Sequence, residues 1–166
     1  MYSDPTAPNA SQEMALEPLV GTEDATVDEK GRIRLSAKKQ ERLGQGFALY
    51  SDPIGCLLAF PKKVWRQKLY EILSQPASLF SRDIETRDIG AMAEDGIMLD
   101  GQGRFVIPQR FREGDPKLGK EVVLVGAVDR IEIWRKDDYK SFMDAKKAHS
   151  KERREMAEKG VALGME

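Results

Sequence analysis

From Ala25 onward the chain alternates apolar and polar residues in short runs separated by turn residues, a pattern of strands joined by tight turns. "ATVD", "EKG" and "RIRL" predict strand, turn and strand, with Gly31 free to take the positive φ that strains other residues. "SAKKQERLG" predicts a short helix, with Ser36 as its N-cap and Gly44 at its end. "FALYS" and "CLLAF" predict two further strands flanking the turn residues "DPIG". In "PKKVWRQKLYEILSQP" the spacing of Trp65, Leu69, Ile72 and Leu73 predicts one apolar helical face, entered at Pro61 and ended at Pro76. Such a stripe is core packing before it is anything else.

Residues 77–95 mix charges without a clear period and read as a linker. The second half then replays the first. "IMLD", "GQG" and "RFVI" predict strand, turn and strand, and "PQRFRE" a short helix opened by Pro108. "KEVVLVGA" and "RIEIW" predict two strands, and "RKDDYKSFMDAKKAH" a helix with Tyr139, Phe142 and Met143 on one face. Residues 1–24 have no such pattern; they are rich in Pro, Ala, Ser and acids and read as a disordered acidic tail. The expected organisation is therefore a tail over 1–24, a first unit over 25–76, a linker over 77–95, a second unit over 96–144 and a charged tail over 145–166.

The repetition is most explicit in "VDEKGRIRL" (Val27–Leu35) and "LDGQGRFVI" (Leu99–Ile107), which share apolar–Asp–x–x–Gly–Arg–apolar at an offset of 72. A second copy of so short a pattern arises by chance in roughly a few per cent of such chains. The downstream order decides the matter: Phe60 and Trp134 each close a strand, and Trp65 and Tyr139 each follow five positions later, at an offset of 74. We read a tandem duplication of a roughly 50-residue unit, too small to bury much alone. The expected fold is mainly β with short helices (α+β), the two units packing as a pseudo-dimer around a shared small barrel.

Composition narrows the function classes. Of 166 residues 33% are charged and 40% hydrophobic, and the formal net charge is −1. Asp4, Glu13, Glu17, Glu23 and Asp24 all lie in the first 27 residues, which hold no Lys or Arg, so the remainder carries +4. A near-neutral total thus does not argue against an anionic partner. One cysteine, Cys56, and one histidine, His149, provide neither a disulfide framework nor a Cys/His zinc site. Neither a nucleophile–base constellation nor a phosphate-cradling glycine loop is present, so an enzyme, a metal, a cofactor and a small-molecule substrate are not expected. The opening residues lack a basic-then-apolar leader, and the longest apolar runs, "CLLAF" and "VVLVGAV", are far short of a membrane span. A cytoplasmic protein without a membrane partner is the expectation.

The doubled motif carries the candidate chemistry. A turn at Gly31 brings Asp28 next to Arg32, and a carboxylate there would hold the guanidinium in one direction. A pre-oriented arginine is what bidentate recognition of a phosphate or a guanine edge requires. Lys30, Arg34, Lys38, Lys39 and Arg42 crowd around it, as Arg110, Arg112, Lys117 and Lys120 surround Arg104 in the second copy. Alternation along "RIRL" predicts Arg32 and Arg34 on one face and Ile33 and Leu35 on the other. The plainer alternative is that each Asp–Arg pair only fixes its turn and that the charged faces are merely solvated.

"VDEKGRIRLSAK" and "LDGQGRFVIPQRFRE" resemble the AbrB/SpoVT-type swapped-hairpin DNA-binding signature. Two such units followed by "KEVVLVGAVDRIEIW" and a helix resemble the MraZ family of transcriptional regulators, over about Ala25 to Phe142 and most strongly from Leu99 to Trp134. The first unit departs from the pattern in having Ser36 where the second has Pro108. The resemblance implies a sequence-specific regulator, nucleoid-associated, that assembles into a homo-oligomeric ring. It further implies binding to short repeats in double-stranded promoter DNA upstream of cell-division and cell-wall genes. On that footing Arg32, with Arg34 second, is expected at base edges, and Lys30, Lys38 and Lys39 at phosphates. Arg104 either contacts DNA or supports the fold, and Asp28, Gly31, Asp100 and Gly103 orient the two arginines. The alternative from another class is an antitoxin-like protein-binding module of the same hairpin fold.

Overall fold

A computed structural model describes residues 17–76, 80–114 and 117–160. In chain order the elements are β1 (Thr22–Thr26), β2 (Arg32–Arg34), α1 (Ala37–Leu43), β3 (Phe47–Ser51), β4 (Leu57–Phe60), α2 (Lys62–Leu73) and α3 (Phe80–Met92). They continue as β5 (Ala93–Ile97), β6 (Arg104–Val106), α4 (Gln109–Arg112), β7 (Glu121–Gly126), β8 (Ile131–Arg135) and α5 (Lys136–Glu158). The mixed α+β class expected from the pattern is what the chain adopts.

Six strands form one antiparallel sheet in the order β1-β7-β8-β4-β3-β5, and β2 and β6 pair as a separate antiparallel ribbon. Period-two alternation sends side chains to both faces of the sheet. Phe47 and Leu49 of β3, Leu57 and Ala59 of β4, Val122 and Leu124 of β7, and Ile131 and Ile133 of β8 meet Ile33, Leu35, Phe105 and Ile107 of the ribbon strands and the residues that follow them. Phe47 and Phe105 stack edge-to-face at 5.0 Å. On the opposite face Ala48, Leu58, Phe60 and Trp134 pack with Trp65 of α2, and Ile89 of α3 and Tyr139 of α5 lie against them. A sheet covered on both faces explains why "LLAF" is buried throughout instead of alternating.

The expected barrel does not close. β1 and β5 remain the two edges of the sheet, because the three-residue strands β2 and β6 pair with each other and do not bridge those edges. The strands flanking each glycine turn also part company after it: β1 joins β7 while β2 joins β6, and β5 joins β3. Ser36 does not cap α1 with its hydroxyl; its N–H donates to the Glu23 carboxylate at 3.4 Å. Residues 80–92, read as linker, form α3, which packs against α2 and runs directly into β5.

Of the stretch read as an acidic tail, residues 1–16 lie outside the described residues, but Leu19 is buried and Thr22–Asp24 belong to β1. Leu19 and Val128 exchange N–H···O bonds of 2.8 Å in both directions. The stretch from 145 to 158 continues α5 as an exposed helix, whose Phe142 stacks on Trp134 at 5.0 Å.

Candidate nucleic-acid interface

Both glycine turns are built alike. Asp28 and Arg32 close the first through Asp28 N–H to the Arg32 carbonyl (2.9 Å) and Gly31 N–H to the Asp28 carbonyl (2.9 Å). Asp100, Gly103 and Arg104 repeat these bonds at 2.8 and 3.0 Å. Gly31 and Gly103 sit at φ +76° and +71°, which only glycine adopts without strain. Asp28 Oδ1 accepts from the N–H groups of Lys30 (2.9 Å) and Arg32 (2.8 Å), leaving Oδ2 to take Arg32 Nε at 2.7 Å. Asp100 binds Gln102 N–H, Arg104 N–H and Arg104 Nε at 2.9, 2.9 and 2.8 Å. Each carboxylate therefore ties one guanidinium to the backbone of its own turn.

The ribbon brings the two turns together. Ile33 pairs with Phe105 on the buried face, while Arg32 lies opposite Val106 and Arg34 opposite Arg104 on the outer face. The Gly103 carbonyl accepts from Leu35 N–H (3.1 Å), and the Gly31 carbonyl from Ile107 N–H (2.8 Å). Like charges directly opposite each other in a sheet are unfavourable. Here Arg104 is drawn to Asp100, and Arg34 donates its Nε to the Gln102 carbonyl at 3.0 Å. Among the described residues the terminal nitrogens of Arg32, Arg34 and Arg104 make no hydrogen bond. Three arginines thus share the outer face of one short ribbon, Arg34 exposed and Arg32 and Arg104 partly exposed.

The other basic residues divide. Lys30 and Lys38 are exposed. Lys39 is only 6% exposed; its ammonium lies 3.3 Å from the Val20 carbonyl and 3.6 Å from the Glu23 carboxylate. Arg110 bonds the carbonyls of Ala91 and Ala93 and pairs with Glu94, and Arg42 pairs with Glu17. Gln40 and Arg112, which the sequence reading did not single out for this role, brace the turns from beneath. Gln40 Nε2 donates to the Leu35 carbonyl (2.7 Å) and Arg112 Nε to the Ile107 carbonyl (2.8 Å). Each covers the glycine of the other half: a Cβ on Gly103 would clash with the Gln40 side-chain amide, and one on Gly31 would meet Arg112 Cζ at 2.5 Å. Gln40 and Arg112 stand 72 positions apart, so the offset of the doubled motif would have found them. Cys56 is buried, and burial above all, with the nearby charges of Glu132 and Asp52, pushes its thiol up to about 12, where it is no nucleophile at neutral pH.

The N–H of Arg32, more than any other group, holds the Asp28 carboxyl below the usual aspartate value against the opposing effect of desolvation. The N–H of Arg104 does the same for Asp100. A carboxyl whose folded value is depressed stabilises the turn above its unfolded value and loses that contribution as the pH falls through the folded one. Both turns are accordingly expected to stay intact on going from pH 7 to pH 5. An NMR titration should show the Arg32 and Arg104 Nε–H signals moving only below the ordinary aspartate range. Movement around pH 5 to 6 would mean that the carboxylates are not held this way.

Among known proteins, a family model described as "MraZ protein, putative antitoxin-like" matches residues 91–159. The chain is 31% identical over 134 residues to a transcriptional regulator MraZ of Roseiflexus sp. (strain RS-1), covering 79% of this chain and 90% of that one. The chain belongs to the MraZ family. Its similarity to the MraZ regulator of Pelotomaculum thermopropionicum is 34% over 149 residues, or 88% of this chain and 97% of the relative. With that of Nocardioides sp. it is 36% over 115 residues, or 69% and 78%. These MraZ relatives are named transcriptional regulators, and the family to which this chain belongs is a non-enzymatic one. Among the described residues, no helix is long and apolar enough to cross a membrane.

Proposed function

We propose that this MraZ-family chain reads double-stranded DNA with the outer face of the β2–β6 ribbon, as two tandem swapped-hairpin units over 25–76 and 96–144. The observation that carries the reading is the sharing of one exposed ribbon face by Arg32, Arg34 and Arg104, two of them aimed by carboxylates of their own turns. The swapped arrangement is supported by the exchange of partners between halves: β2 with β6, β1 with β7, and β5 with β3. It is also supported by a strand order that reads the same from either end once equivalent strands are matched. A two-stranded ribbon is a known groove reader, and an arginine fork suits a guanine edge. Lys30 and Lys38 take phosphates; Lys39, turned inward, does not.

One ribbon makes few contacts, so tight binding calls for several copies at fixed spacing. Homo-oligomerisation makes later contacts intramolecular and raises avidity by about a hundredfold or more. The partner DNA then contains short repeats. The promoter region upstream of cell-division and cell-wall genes is the target this reading assigns, with the protein held at the nucleoid.

The test is binding of the full chain to DNA from upstream of its own reading frame and to a random duplex, each at two salt concentrations. Tight, salt-sensitive, sequence-preferring binding is expected. Lys30→Ala should lower the salt slope by about 1 and leave sequence preference unchanged. The words "antitoxin-like" in the family description favour a second reading, a module whose partner is a protein. Absence of binding to either duplex at low salt would put that reading in place of the first.

A further inference from the structure

The outer face of the ribbon is arginine at three of its four positions and valine at the fourth. Val106 is 51% exposed, lies directly opposite Arg32, and occupies in the second half the position that Arg34 occupies in the first. Its inward neighbours, Phe105 and Ile107, are 2% and 0% exposed, so the core uses the alternate positions and does not require an apolar side chain here. Val106 therefore lies on the solvent face among three arginines.

Resting on the DNA-binding reading above, we propose that Val106 is a specificity-determining residue that packs on the 5-methyl group of a thymine beside the base met by Arg32. The chemistry follows from the face itself. In the major groove thymine alone of the four bases presents a methyl group, and apolar side chains read it. Directly opposite residues of an antiparallel pair have Cβ atoms about 4.5–5.5 Å apart. Val106 and Arg32 would thus reach neighbouring base positions. Replacing the arginine of one half by valine in the other also makes the two ends of the ribbon inequivalent, so that the reader has a direction along the duplex.

The test compares wild type and Val106→Ala on two versions of the upstream duplex, one natural and one synthesised with deoxyuridine in place of every thymidine. Burying one methyl group contributes about 0.8 kcal/mol, a factor of about four in affinity. Wild type is expected to bind the uracil duplex about fourfold more weakly than the natural one, and Val106→Ala to bind the two equally. Equal losses by both proteins would assign the methyl to another residue, and no loss by either would show that the methyl is not read; each result overturns the proposal. Wild type that fails to prefer natural upstream DNA over random duplex would instead remove the DNA-binding premise, and the proposal with it. Val106→Ala keeps its fold in this design because the side chain it truncates is on the surface, and an unchanged melting temperature verifies that.

Discussion

Arg32→Ala is expected to lower the affinity of the full chain for its upstream DNA by about 10- to 100-fold, while random-sequence binding at low salt falls much less. The large effect comes from geometry more than from charge. Arg32 Nε is engaged by Asp28 Oδ2 at 2.7 Å, which restrains the guanidinium and leaves its two terminal nitrogens without a hydrogen bond among the described residues. A guanidinium held this way loses little side-chain entropy on binding. The folded state should tolerate the change, since a partly solvated ion pair of this kind contributes little to stability. Asp28→Asn separates orientation from charge. It keeps Arg32 but removes the carboxylate that aims it, so sequence preference should fall about tenfold with the salt slope unchanged. Arg104→Ala decides the role of the second motif: a loss like that of Arg32→Ala makes both arginines readers, and a small loss makes Asp100–Arg104 a support for the turn. If Arg32→Ala binds and discriminates like wild type, the ribbon face is not the reader.

Much of this site was legible in the chain because it is local. The turn at Gly31, the approach of Asp28 to Arg32, and the alternation that turns Ile33 and Leu35 inward all follow from neighbours within a few residues. The resemblance carried by the doubled motif pointed to the family. What was not legible depends on distant partners. Hydrophobic alternation reports which face of a strand is buried but not which strand lies beside it, so the pairing of β1 with β7 and of β2 with β6 had no signal in the pattern itself and could be anticipated only through the resemblance to the swapped-hairpin signature. Counting cations misled for a similar reason. Lys39 and Arg110 look like a basic surface until their long side chains are seen reaching the Val20, Ala91 and Ala93 carbonyls. Helix α3 escaped notice because few of its side chains are buried, and its apolar contacts come from packing on α2 more than from a strong period of its own.

Gly126→Ala is expected to damage the fold severely, lowering stability by about 3 kcal/mol and the Tm by about 10 °C. The reason is space. A Cβ on Gly126 would lie 2.5 Å from both Cα and N of Val20 and 2.6 Å from its carbonyl carbon, all backbone atoms that no rotamer change can remove. The Val20 backbone is also pinned on both sides. Gly126 N–H donates to the Gly21 carbonyl at 2.8 Å, and Leu19 and Val128 exchange two bonds of the same length. Relief of the clash requires lifting residues 19–21 from the end of β7. That withdraws Leu19, 1% exposed, from the core, worth about 1.5–3 kcal/mol of burial, and breaks bonds worth about 1 kcal/mol each. It also frees the start of β1, whose far end leads through Val27 N–H, bonded to the Lys120 carbonyl at 2.8 Å, into the Asp28 turn. Loss of stability should therefore be accompanied by faster amide exchange at Val27 and Gly31. Gly90→Ala is the control: a Cβ on Gly90, within α3, would meet nothing within 4 Å, so helix propensity alone predicts a gain of about 0.5–1 kcal/mol. Thermal melts that rank Gly126→Ala level with Gly90→Ala would refute the pinned-backbone account of how β1 is held.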